Sequence, residues 1–168
     1  MGIGNEISAS AMCCVLLSEN IEDWFGSEKQ EKNTNITNTV EVIRAGIEVN
    51  KLLIRDPLNV LRCLGGQEIA AEVGAIIAAR IAGTPVLLDG FVSTAAALVL
   101  HKINPELILH CCISHLSPVP AHSIILNALN KRPILELGIS MSGAVGASVA
   151  INIIRASIAC GTIVTDNN

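Results

Sequence analysis

Apolar and polar positions in the second half of this chain fall into one unit repeated three times: an apolar run, a Gly/Ser/Pro-rich loop, then an apolar helix pattern. The runs predict strands at 85–88, 107–113 and 134–137, and the periodic segments predict helices near 94–101, 121–130 and 146–160. Continuous rather than alternating apolar runs fit strands covered on both sides. Strands alternating with helices imply crossovers and a parallel sheet. The prediction is therefore an α/β fold, a three-layer parallel sheet of Rossmann-like type with helices on both faces. In such sheets ligands collect beyond the carboxyl ends of the strands.

Upstream, the pattern predicts helices over 58–64 and 68–81, separated by Gly65-Gly66, and another over 38–53. Asn38 with Glu41 three residues on has capping-box spacing, and Val40, Ile43 and Ile47 form the apolar stripe behind it. Residues 19–37 turn polar and read as a solvated loop pinned by Trp24 and Phe25. Met1-Gly2-Ile3-Gly4-Asn5 is a glycine-rich turn with no strand before it, followed by a buried helix over 9–17. The sheet is thus expected to be incomplete at its N-terminal side, with residues 1–168 forming one partial α/β domain.

The segment 85–99 carries the most chemistry. A buried strand meets Asp89-Gly90, and Ser93 and Thr94 are expected to open a small-residue helix. The free N–H groups of that helix end would suit an anion or a polar ligand.

Composition narrows the function. A net charge of −4, 2% aromatic residues and no Tyr remove the basic surface and stacking platform that nucleic-acid binding needs. The six cysteines sit in apolar segments without paired metal spacing, which reads as free thiols in a reducing compartment and no metal site. The run 137–154 carries no charge, but its glycines, serines and Asn152 mark a loop feeding a buried helix rather than a membrane span. The reading is cytoplasmic, with no membrane contact.

In order and spacing, Met1-Gly2-Ile3-Gly4-Asn5, Asp56-Pro57, Gly65-Gly66 with Glu68-Ile69-Ala70, 85–98, Ser114-His115 with Ser117, and Leu137-Gly138 with Gly146-Ala147 form a set. The set resembles the C-terminal half of the nicotinate-nucleotide-dimethylbenzimidazole phosphoribosyltransferase family. The resemblance implies transfer of phosphoribose from nicotinate mononucleotide to dimethylbenzimidazole, giving α-ribazole 5'-phosphate and nicotinate, for the lower ligand of cobalamin. It implies a nucleotide and a benzimidazole as substrates, no cofactor, and a homo-oligomer or a partner half to complete the core. Carried onto this sequence, Gly2, Gly4, Asp89, Gly90, Ser93, Ser114, His115, Ser117, Gly143 and Gly146 are the expected substrate-binding residues. His122 matches a histidine common in the family and is weighed between proton transfer and a structural role.

The sequence departs from the family at reactive positions. Gly143 stands where the resemblance places a catalytic Glu, so no catalytic residue is assigned. Thr39 stands for a Lys, Glu6-Ile7 for a Thr pair, Val119 for a Glu and Ala121 for a Gly. These changes keep open an alternative: a catalytically inactive relative, or a truncated remnant, that binds nucleotide, benzimidazole or a partner subunit.

Overall fold

The computed structural model describes residues 4–24, 34–141 and 143–165. Among them, three parallel strands are flanked by seven α-helices. Helix α1 (Asn5–Leu17) starts after Gly4 and stops at Ser18, whose left-handed backbone turns its N–H onto the carbonyls of Cys14 and Val15. Its centre, from Ala9 to Cys14, is buried all round. Helix α2 (Thr34–Asn50) buries Val40 and Ile43 and half-buries Ile47, so the predicted stripe faces the core. The predicted start is corrected: Asn38 lies a turn inside the helix and caps nothing. The run Thr34-Asn35-Ile36-Thr37-Asn38 offers several cap-type residues, and local pattern does not rank them.

Helix α3 (Pro57–Leu64) has Asp56 as its cap, accepting the Asn59 N–H at 3.0 Å, with Pro57 pre-set for the first turn. Helix α4 (Gln67–Ile81) follows the Gly65-Gly66 break and leads to β1 (Val86–Leu88). Helix α5 (Gly90–Ile103), β2 (Cys111–His115), α6 (Pro120–Leu129), β3 (Pro133–Leu135) and α7 (Val145–Thr165) complete the chain.

The sheet order is β1-β2-β3, with Leu88 opposite Ile113 and His115 opposite Leu135. Because side chains alternate along a strand, Leu88, Cys111, Ile113, His115 and Leu135 share the buried face. Cys112 and Ile134 point to the other face and are exposed. Helix α5 is the hub, packed by α1, α4 and α6, while α7 touches all three strands.

Two strand predictions need correction. Strand β2 begins at Cys111, not Leu107, because Pro105–Ile108 closes a 3-10 turn: Pro105 fixes the first residue and the Asn104 side chain accepts the Glu106 N–H. Strand β3 ends at Leu135, and Leu137 sits 66% exposed in the loop beyond. The predicted polar loop contains a 3-10 turn, Ile21–Trp24, and Trp24 is buried with its ring 6.5 Å from Phe91. Phe25 lies outside the described residues. Among the described residues no helix is long and apolar enough to cross a membrane.

Candidate functional site

A cavity of about 530 Å³ opens beyond the carboxyl ends of β1 and β2. It gathers the starts of five helices: Asn5 and Glu6 of α1, Glu68 of α4, Gly90 to Val92 of α5, Val119 before α6 and Gly143 before α7. Helix N-termini carry unpaired N–H groups and partial positive charge, so their convergence suits an anionic or polar ligand. Phe91, Val92, Val119, Ile139 and Met141 add an apolar wall.

The Asp89-Gly90 step joins β1 directly to α5. Helix α5 starts at Gly90 itself, whose φ of +72° strongly favours glycine. Ser93 and Thr94 are therefore inside the helix and do not open it. Thr94 is fully buried, and its hydroxyl donates to the Gly90 carbonyl at 2.7 Å. Ser93 donates more weakly to the same carbonyl, at 3.4 Å.

Asp89 holds two loops together. Its Oδ1 accepts the Ala147 N–H at 2.9 Å, fixing the start of α7 against the end of β1. His115 Nδ1 and the Ser114 hydroxyl each lie 3.5 Å from the same oxygen. Ser114 is fully buried and gives its main hydrogen bond to the Leu88 carbonyl at 2.7 Å, joining β2 to β1. The His115 ring packs against Gly146, where an added Cβ would run into the imidazole. Gly146 is glycine because of that close approach.

His122 is a strut. Its Nδ1 accepts the Ser117 N–H at 3.0 Å, which leaves Nε2–H to donate to the Thr94 hydroxyl at 3.1 Å. Burial, with His115 nearby, pushes its pKa down to about 4, so the ring is neutral near pH 7. Burial likewise raises Cys111 to about 11 and Cys13 well above the thiol range, which leaves both inert.

Of the residues expected from the sequence, Asp89, Gly90, His115, Ser117 and Gly143 line the cavity. Gly4 adjoins it at the start of α1, whereas Ser93, Ser114 and Gly146 stand behind the wall and shape it. Gly2 lies outside the described residues. Site prediction missed Glu72, the apolar wall and Ser140. Glu68 and Glu72 were detectable as an i, i+4 acidic pair on a helix entered through Gly-Gly. The described residues contain no cluster of side chains able to hold a metal ion.

A phosphoribosyltransferase family model matches residues 1–166. Curated relatives named nicotinate-nucleotide–dimethylbenzimidazole phosphoribosyltransferase are 42% identical in Brucella canis and 41% in Brucella melitensis, each over 160 residues. The chain belongs to the nicotinate-nucleotide–dimethylbenzimidazole phosphoribosyltransferase family. A crystal structure under the same name, from Thermus thermophilus, superposes with a TM-score of 0.81 at 34% identity, covering 93% of this chain. The chain spans about half the length of these family members: 47% of the Brucella proteins and 46% of the Thermus chain. The α/β sheet predicted from the strand-helix repeat is the fold that this superposition shares.

Proposed function

We propose that this chain takes part in phosphoribosyl transfer from nicotinate mononucleotide to a benzimidazole, and that the cavity beyond β1 and β2 holds the reacting groups. The observation that carries this reading is the convergence of five helix starts and an apolar wall on one strand-end cavity, in a chain matched by the family model over residues 1–166.

The transfer needs three things from a site: a slot for flat rings, donors for a phosphate, and a fixed loop between them. The apolar wall supplies the slot. Backbone N–H groups at the helix starts supply donors, since no Lys or Arg lines the cavity among the described residues. The Asp89 to Ala147 hydrogen bond fixes the loop.

Further cations for the phosphate come, in this reading, from a second copy or from polypeptide corresponding to the rest of the relatives' length. The six free thiols suit the reducing cytoplasm. The inactive-remnant alternative gains nothing from the relatives named above, all of which bear a transferase's name.

The test incubates the purified chain with nicotinate mononucleotide and dimethylbenzimidazole and follows ribotide and nicotinate by chromatography. Benzimidazole-dependent release of nicotinate is the expected result. Absence of both release and benzimidazole binding would overturn the reading.

A further inference from the structure

We propose that Glu72 is the proton acceptor of the cavity, its free carboxylate oxygen taking first the N–H hydrogen bond and then the proton of a neutral heteroaromatic acceptor of the benzimidazole type. This rests on the phosphoribosyl-transfer reading above.

The assignment comes from what every ionisable group on the cavity wall is already doing. Asp89 is occupied by the Ala147 N–H, with Ser114 and His115 beside it. His115 shares its Nδ1 with the Ser114 hydroxyl at 3.1 Å, and its ring is wedged against Gly146. The Glu68 carboxylate folds back over Gly66. Glu6 is exposed at the start of α1, and Gly143 offers no side chain.

Glu72, one helical turn beyond Glu68, is different. Its Oε2 is buried and has no hydrogen-bond partner among the described residues, although the side chain lines the cavity. A buried acceptor left unpaired is costly, and a ligand N–H aimed at it relieves that cost.

The surroundings set its basicity. Burial, then the Glu68 charge on the same helix, push the Glu72 carboxyl above its ordinary value. Across the cavity the titratable groups are Glu6 of α1, Asp89 after β1 and His115 at the end of β2, and no Lys or Arg lines it among the described residues. A carboxylate raised towards the working pH is a better base than an ordinary one.

One ring nitrogen of the azole donates its lone pair to the ribose anomeric carbon, while the bond from that carbon to the nicotinate nitrogen breaks and its electron pair leaves with nicotinate. The proton on the other ring nitrogen passes to Glu72, which releases it to solvent after the products depart. No oxidant, metal or covalent enzyme intermediate is required.

The test compares wild type with Glu72→Gln and Glu68→Gln in the transfer assay across pH, alongside titration calorimetry with dimethylbenzimidazole. The expected result for Glu72→Gln is a loss of about a hundredfold or more in kcat, with azole binding retained and a melting temperature at pH 7 no lower than wild type. Glu68→Gln should move the acidic limb of the pH–rate profile to lower pH, because it removes one charge that raises Glu72. Glu72→Gln turnover within threefold of wild type, or an acidic limb unmoved by Glu68→Gln, overturns the assignment. Wild type that binds the azole but shows no transfer overturns it too. Wild type that fails to bind the azole at all sinks the functional reading itself.

Discussion

Helices α5 and α7 are similarly apolar in sequence, yet the molecule treats them oppositely. In α5 every residue from Ala95 to Val99 is 0% exposed, enclosed by α1, α4, α6 and the sheet. Among the described residues of α7, Gly146 and Ala150 near its start are buried, while Ile151 and Ile153 are exposed and Ile158 reaches 65%. Apolar composition therefore predicts that a helix wants cover, not that it has it. Large exposed apolar patches commonly mark interaction sites.

The contrast can be broken most forcefully at its centre. Leu98→Ala should destabilise by about 2–5 kcal/mol, because the α5 core has no room to collapse into the hole. Urea unfolding checks this. Gly146→Ala, where the two regions meet, should cost about 1–3 kcal/mol. By displacing His115 and the Asp89 tether it should also slow transfer about a hundredfold. Calorimetric melting and the transfer assay separate the two effects.

A third probe uses pH. His122 has an ordinary pKa of 6.5 and a folded one of about 4, so between these values the unfolded chain binds a proton that the folded chain refuses. Its contribution to stability is full above pH 6.5 and is lost as the pH falls towards 4. Glu72, with a raised pKa, acts in the opposite sense, so the difference between wild type and His122→Asn is the measurement. The variant should show a flatter fall in melting temperature over that window.

The smallest effect belongs to α7. Ile158→Ala should change stability by no more than about 0.5 kcal/mol. A larger loss would mean that α7 is covered in solution.

How far the sequence reaches follows the same division. The strand-helix repeat after residue 85 was legible because burial on both sides of a strand and on one face of a helix leaves a strong period. Element ends were less so. The start of β2 turned on an Asn104-Pro105 turn, and the start of α5 on a left-handed Gly90 that fuses strand directly to helix.

Within the site, glycines and small polar residues were visible, but their division of labour was not. Asp89, Ser114 and Gly146 are expected substrate-binding residues, and their hydrogen bonds and packing also hold β1, β2 and α7 together. The i, i+4 pair of Glu68 and Glu72 is legible in the sequence, but the buried oxygen without a partner that sets Glu72 apart exists only in three dimensions.

The central claim is that the strand-end cavity anchored on α5 receives the heterocyclic acceptor. Titration calorimetry of dimethylbenzimidazole into wild type and Met141→Asp, which places a charge on the exposed apolar wall, tests it most directly. The account predicts saturable one-to-one binding by wild type, weakened by about tenfold or more in the variant, since each 1.4 kcal/mol is a factor of ten. Equal affinity in the two proteins, or no saturable heat in wild type, would contradict it.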